Sequence, residues 1–102
     1  MMAYLSSDSS VVVVGCGNDG IRMMEELQRS GALGKVAYLA DNDKGLQGKQ
    51  RMGKMILSPE EACNRCPQAV YLIASLKYGD ELKAQMLSLG IEPERIWTGH
   101  IW

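Results

Sequence analysis

The chain has 102 residues, of which 46% are apolar, and its 11 basic and 12 acidic side chains leave a formal net charge of −1. This length predicts one domain with one core, and the balanced charge gives no long-range attraction to nucleic acid or anionic lipid, so neither is expected as a partner. No run approaches the roughly 18 apolar residues of a membrane span, and the N-terminus lacks the pattern of a secretory signal, so we expect a cytoplasmic protein.

The first 40 residues predict a lead-in, two strands and one helix. Residues 1–10 are polar and are expected to be flexible, which leaves residues 11–102 as the folded domain. Val11–Val14 is a continuous β-branched run that ends at a glycine, which is typical of a strand buried on both faces of a parallel sheet. Apolar residues at helical spacing then predict a helix over 19–30, and a second strand is predicted over 35–40.

The rest of the chain continues this alternation. Residues 46–54 are glycine-rich and basic and predict a loop. The basic cluster after Asp43 favours a solvated loop, with a mobile lid over a sugar diphosphate as the alternative; its cations are Lys44, Lys49, Arg51 and Lys54. A short third strand over 55–57 precedes a helix that Ser58 is expected to cap and Cys66 to end, because Cys66 precedes a proline. The remaining predicted elements are a buried strand over 69–75, a helix whose apolar stripe runs from Tyr78 to Leu89, and a weak strand over 95–97.

Strands that alternate with helices imply right-handed crossovers and a parallel sheet covered by helices on both faces. We therefore predict a three-layer α/β fold with about five parallel strands in the order 3-2-1-4-5. In that order the chain reverses direction between the first and fourth strands. Open α/β sheets bind ligands at such a switch point, outside the carboxyl ends of the strands.

A glycine-rich sequence, GCGNDG at residues 15–20, joins the first strand to the first helix and is called the glycine loop below. It fits the pattern G-x-G-x-x-G, in which the first glycine permits a tight turn and the second lets a pyrophosphate approach the backbone. The third glycine lets the helix approach the sheet, while free N–H groups and the helix dipole face the anion. The alternative is that these glycines only make a compact turn.

An acidic residue follows the second predicted strand, at close to the ~20-residue spacing expected for a carboxylate that binds a ribose hydroxyl. Asp41 is favoured over Asp43 because it lies directly at the strand end. A carboxylate there disfavours a 2′-phosphate, so NAD or a plain ribose ligand is preferred over NADP. Asp19 is an objection to phosphate binding, since it could cap the helix itself and repel the anion.

Five segments, in the order GCGNDG, YLADND, QGK, ILSPEEA and VYLIASLKYGDELKAQMLSLGI, resemble a Rossmann-like domain of bacterial sugar-nucleotide proteins. Such domains precede the catalytic parts of nucleotide-sugar epimerase/dehydratases and form the N-terminal part of sugar acyltransferases. The resemblance implies a role in polysaccharide biosynthesis and a bound NAD or UDP-sugar. The predicted cofactor-binding residues are Gly15, Cys16, Gly17, Asn18, Asp19, Gly20, Asp41, Asn42 and Ser75.

The resemblance does not extend to an activity. Cys16 stands where alanine is usual, and no catalytic half follows Trp102 in this sequence. We therefore expect a nucleotide-binding module without catalysis by this chain alone. The alternatives are a minimal NAD-dependent oxidoreductase, which would need a proton donor or acceptor over the nicotinamide, and an interaction domain without a ligand.

Two further features concern cysteines and partners. Cys63 and Cys66 form a C-x-x-C at a predicted helix end, where a structural role is favoured over a redox or zinc site. No metal site and no catalytic residue are predicted. Trp97 and Trp102 place two large apolar side chains near the end of the sequence, which suggests a contact with a second copy of the chain or with a catalytic partner domain.

Overall fold

The four-valine run lies at the centre of a mostly parallel sheet in the computed structural model, which describes residues 10–98. The strands are β1 (Val11–Val14), β2 (Val36–Ala40), β3 (Gln50–Arg51), β4 (Lys54–Leu57), β5 (Val70–Ile73) and β6 (Ile96–Trp97). The helices are α1 (Asn18–Arg29), α2 (Pro59–Arg65) and α3 (Gly79–Ser88), with short 3-10 turns at Leu33–Lys35 and Pro93–Arg95.

Within residues 10–98 the sheet has six strands in the order β3-β4-β2-β1-β5-β6. All neighbouring pairs are parallel except β3 and β4. The five parallel strands thus follow the predicted order, but the predicted strand count is too low. Residues 50–51, which were predicted to lie in a loop, form an antiparallel edge strand instead.

A two-residue turn explains the extra strand. Met52 has φ 51° and Gly53 has φ 79°, and two consecutive positive φ values are the signature of the tight hairpin turn that matches the twist of its strands. The turn sets Arg51 opposite Lys54. Methionine is an unusual residue for this turn, so the sequence carries no Asn-Gly or Asp-Gly signal at this position.

Alternate residues of β1 face two separate cores, and all four valines are 0% exposed. Val11 and Val13 pack with the buried face of α1, which presents Met23, Met24 and Leu27. Val12 and Val14 pack on the opposite side, in the cluster that contains buried residues of α2 and α3. The sheet is therefore the middle of three layers, as an uninterrupted apolar strand requires.

The helix ends follow local chemistry. The Ser58 hydroxyl accepts a hydrogen bond from the Glu61 N–H at 3.1 Å, so the predicted N-cap of α2 is confirmed. The helix ends at Arg65 with Cys66 as its C-cap, in agreement with the end predicted from the following proline. The predicted place of Tyr78 in the apolar stripe is wrong: α3 begins one residue later, and the Tyr78 side chain is 50% exposed.

Some predictions fall outside the part of the chain that the structure describes. These are the lead-in, except for Ser10, and Trp102. The other tryptophan, Trp97, lies in β6 and packs against the core on the α1 side. No helix between residues 10 and 98 has the length and apolar character to cross a membrane.

Candidate functional site

A crevice of about 700 Å³ opens at the carboxyl ends of β1 and β5. After β1 the chain crosses to one face of the sheet through α1, and after β5 it crosses to the other face through α3. The crevice therefore lies at the switch point where open α/β sheets bind ligands, and its size is ordinary for a small-molecule site. Its lining residues are Gly15, Cys16, Gly17, Asn18, Asp19, Asp41, Asn42, Ala74, Ser75, Lys77, Tyr78, Glu81, Leu82 and Gln85.

The crevice brings together every predicted cofactor-binding residue except Gly20. Gly20 lies in the first turn of α1, where an added Cβ would meet the Gly15 carbonyl oxygen at 2.0 Å. Its lack of a side chain thus lets the helix approach the turn closely, which is the task expected of the third glycine. Ligand binding by the residues of this set stays a prediction.

The other two glycines of the glycine loop differ from each other. Gly15 has φ +106°, and a Cβ on it would lie 2.9 Å from the Ala74 carbonyl oxygen, so the turn itself requires glycine. Gly17 has φ −79° and ψ −158°, which any residue adopts. Apart from Gly17 itself and the chain next to it, no heavy atom of the described residues lies within 4 Å of the position of its missing Cβ. The protein's own packing therefore gives no reason for a glycine at position 17.

The first turn of α1 is open to the crevice. Gly17 is the N-cap residue, and no side chain caps the helix. Asp19, which could have capped it, instead accepts a hydrogen bond from the Leu76 N–H at 2.9 Å. This bond links α1 to the loop after β5, and it leaves the N–H groups of the first turn available to an anion.

Asp41 lies against the glycine loop. Its Oδ2 accepts a hydrogen bond from the Cys16 N–H at 2.8 Å, and its Oδ1 accepts one from the Asp43 N–H at 2.8 Å. The carboxylate therefore reaches the glycine loop from the end of β2, and the binding of a ribose that was predicted for it stays a prediction. Behind the loop, a guanidinium nitrogen of Arg51 donates to the Cys16 carbonyl oxygen.

The Cys16 thiol is buried beneath the loop, with 2% of the residue exposed. The pKa of Cys16 is raised from 9.0 to about 11, mainly by burial and to a smaller extent by the Asp41 charge, while the Arg51 charge lowers it. The thiol is therefore protonated at neutral pH. Because the thiolate is the reactive form, this shift disfavours a nucleophilic role for Cys16.

One solved structure supplies a comparison for this arrangement. The chain superimposes on the crystal structure of UDP-D-quinovosamine 4-dehydrogenase from Vibrio fischeri with a TM-score of 0.61 and 19% sequence identity, over 82% of this chain and 74% of that chain. The fold is Rossmann-like. At this identity the likeness shows the fold alone, and no protein family or curated protein matches the sequence.

The far wall of this Rossmann-like crevice was missed by the sequence analysis. It is formed by the loop after β5 and by α3, and its unpredicted residues are Ala74, Lys77, Tyr78, Glu81, Leu82 and Gln85. The Lys77 ammonium lies 5.3 Å from the centre of the Tyr78 ring. Position in the predicted topology was the available signal, because the loop after β5 must border the switch point.

Two lining residues close part of the crevice. The Asn42 and Gln85 side-chain amides exchange two hydrogen bonds, each of 2.9 Å, and so link the end of β2 to α3. The Ser75 hydroxyl accepts a bond from the Tyr78 N–H at 2.9 Å and shapes the turn before α3. Asn42 and Ser75, both predicted to contact a nucleotide, are thus engaged within the protein itself.

The C-x-x-C lies away from the crevice. Cys63 is buried in the core on the α2 side, where its thiol contacts the Met86 sulfur at 3.7 Å. Burial raises the pKa of both Cys63 and Cys66. Across residues 10–98, the structure contains no group of three or more His, Cys, Asp or Glu side chains placed to hold a metal ion.

Proposed function

We propose that this chain is a nucleotide-binding module that holds NAD or a UDP-sugar in the crevice. The glycine loop would bind the phosphates through its backbone N–H groups, and Asp41 would bind the ribose. The proposal includes a cytoplasmic role in bacterial sugar-nucleotide or polysaccharide biosynthesis. A catalytic partner domain or a second copy of the chain would act through the Trp97/Trp102 region.

The observation that carries this proposal is the unexplained glycine at position 17. The backbone angles suit a residue with a side chain, and a Cβ would meet no neighbouring atom there. A phosphate bound to the N–H groups of the first turn of α1 would occupy that space, and a Cβ would keep it from the backbone. Glycine at this position is therefore accounted for by a ligand that approaches the chain closely.

The geometry of Asp41 supports the second half of the proposal. Each carboxylate oxygen already accepts one backbone N–H, but an ionised carboxylate has about four lone-pair sites. Two sites thus remain for ribose hydroxyls while the carboxylate holds the glycine loop. The contact with Cys16 also sets the ribose site next to the phosphate site, as one nucleotide requires.

The solved neighbour favours a UDP-sugar over other nucleotides, because its name specifies a UDP-linked sugar. NAD remains the other candidate, since the neighbour is named a dehydrogenase. Both ligands carry a diphosphate and a ribose with a free 2′-hydroxyl. The proposal therefore rests on these shared groups and leaves the choice between the two ligands to experiment.

A thermal-shift series tests the proposal. Unfolding is followed with UDP, UDP-sugars, NAD, NADP, coenzyme A and S-adenosylmethionine. A ligand at a hundredfold excess over its Kd stabilises the native state by about 2.7 kcal/mol, and each kcal/mol raises the Tm of a domain this small by about 4–8 °C. UDP-sugars or NAD should raise the Tm clearly more than NADP. No shift with any of them would contradict the proposal.

A matched pair of glycine variants locates the phosphate. Gly17→Val adds a side chain whose Cβ lies in open space, so it should interfere with a bound phosphate and not with the packing of the protein. Gly34→Val is the control, because position 34 also has open space and no positive φ, and it does not line the crevice. Gly17→Val should abolish the shift and Gly34→Val should preserve it, with similar Tm values in the absence of ligand. If binding survives in Gly17→Val, the phosphate does not lie on this loop.

A further inference from the structure

The hairpin of β3 and β4 places one cation against the glycine loop. Arg51 is partly buried on β3, and its guanidinium donates to the Cys16 carbonyl oxygen. Arg51 is not among the residues that line the crevice. The guanidinium therefore lies behind the loop, on the side away from the space where a ligand would bind.

Because peptide groups are planar, the contact between Arg51 and the Cys16 carbonyl oxygen also fixes the direction of the Gly17 N–H. The Cys16–Gly17 peptide is trans, since the described residues include no cis peptide. The C=O and N–H groups of a planar trans peptide point in opposite directions. With the carbonyl held by Arg51, the Gly17 N–H points away from the guanidinium, and no group in residues 10–98 accepts a hydrogen bond from it.

The neighbouring peptide is fixed from the other side. The Cys16 N–H is bound by the Asp41 carboxylate at 2.8 Å. The side chains of Asp41 and Arg51 thus hydrogen-bond to two consecutive peptide groups of the glycine loop. The backbone N–H that these two contacts leave free is that of Gly17. This is the glycine whose open space carries the proposed function.

The charge on Arg51 also bears on an anion. Among the residues that line the crevice are three carboxylates, those of Asp19, Asp41 and Glu81, against the single ammonium of Lys77. Such a lining repels phosphate unless other positive charge lies close by. The pKa of Cys16 responds to both Asp41 and Arg51, so the charges of these two residues act on the same stretch of the loop.

We propose that Arg51 is a positioning residue for the phosphate site: it turns the Gly17 N–H toward the ligand and offsets the acidic lining of the crevice. The inference rests on the proposed function and deepens it. The ligand class that it selects is an anion bound through one or more phosphates, as opposed to a neutral nucleoside. The basic stretch that contains Arg51 thus contributes to phosphate binding through a fixed contact with the Cys16 carbonyl oxygen, behind the glycine loop.

The test uses Arg51→Met, with Lys49→Met as the control, because Lys49 is an exposed cation on the same segment. Titrations measure the Kd of UDP and of uridine, which lacks the phosphates. Arg51→Met should raise the Kd of UDP about tenfold, equivalent to roughly 1.4 kcal/mol, and leave that of uridine unchanged. Arg51→Lys keeps a charge and a donor, so its Kd for UDP should fall between those of the wild type and Arg51→Met.

The amide resonance of Gly17 is followed in the ligand-free proteins as a second readout. It should move in Arg51→Met and stay in place in Lys49→Met. Equal UDP affinity in the two methionine variants, or an Arg51→Lys variant as weak as Arg51→Met, would overturn the role of Arg51 and leave the proposed function intact. If the wild-type chain binds no phosphate-bearing probe, the proposed function fails, and the Gly17 resonance still decides whether Arg51 sets the loop.

Discussion

At the scale of single residues, Cys16 shows how the glycine loop is anchored. Its backbone borders the crevice while its side chain lies in the core on the α1 side, where the sulfur is 4.0 Å from the Ala40 carbonyl oxygen. Its N–H and C=O groups are held by Asp41 and Arg51. Every polar group of this residue is thus used inside the protein, and the free donors of the loop begin at Gly17.

The buried thiol of Cys16 makes the free energy of unfolding fall as the pH rises through the alkaline range. Well below pH 9.0, the ordinary pKa of the thiol, Cys16 is neutral in the folded and the unfolded chain, so its contribution is complete. As pH rises toward about 11, the pKa of Cys16 in the folded chain, the unfolded chain loses the proton first and the folded state is destabilised. Between about pH 8 and about pH 10.5, the wild type should lose on the order of 1 kcal/mol more free energy of unfolding than Cys16→Ala.

Urea unfolding at the two pH values measures this difference. Alanine fills a similar small space, and both proteins keep the other groups with raised pKa, which are Cys63, Arg65, Cys66 and Tyr71, so subtraction isolates Cys16. An equal loss in the two proteins would show that the thiol is not held in its neutral form by the fold.

At the scale of elements, some of the strands and helices around the crevice are marked by clear sequence patterns and others are not. The strands and α1 follow from apolar periodicity and glycine placement, and the start of α2 follows from Ser58 and Pro59. The edge strand β3 is only two residues long, and its turn uses a methionine with positive φ, so no pattern marks it. In α3 only Met86 is buried while Leu87 is 39% exposed. Such a weak apolar stripe does not reveal which polar residues face the crevice.

The same reasoning separates the two halves of the candidate site. The glycine loop and Asp41 could be predicted because glycine and a strand-end acid have fixed positions in a nucleotide-binding crossover. For Lys77 and Tyr78 the topology gave only a general signal, because the loop after β5 borders the switch point but no residue pattern shows which of its side chains face the crevice. Gln85 had no signal, since the weak apolar stripe of α3 does not fix the direction of its polar face. Tyr78, which was expected in the apolar stripe of this helix, lies just before α3 and lines the crevice instead.

The link between β2 and α3 gives a prediction at this scale. Asn42 and Gln85 are exposed or partly exposed and share two hydrogen bonds. Each net hydrogen bond contributes about 0.5–1.5 kcal/mol, and water competes at this surface, so a double-mutant cycle of Asn42→Ala and Gln85→Ala should give a coupling energy of about 1 kcal/mol in urea unfolding. Additive effects would indicate that the two amides do not hold the elements together in solution.

At the scale of the whole molecule, local opening should differ between the centre of the sheet and its edge. The residues of β1 and β5 are 0–6% exposed, so their amides should exchange with solvent only through global unfolding. The β3–β4 hairpin lies at the edge, and its amides should exchange through smaller openings. Hydrogen exchange therefore distinguishes a ligand that stabilises the whole fold from one that protects particular amides by covering them.

The last prediction uses that division to find the ligand. A ligand that binds only the native state slows all globally exchanging amides by the same factor, 1 + [L]/Kd, wherever it binds. Gly17 has no acceptor within residues 10–98, so its amide should exchange fast in the free protein and slow markedly on addition of UDP or NAD only if a phosphate covers it. Protection at β1 and β5 without protection at Gly17, measured at a ligand concentration well above Kd, would place the ligand elsewhere on the fold.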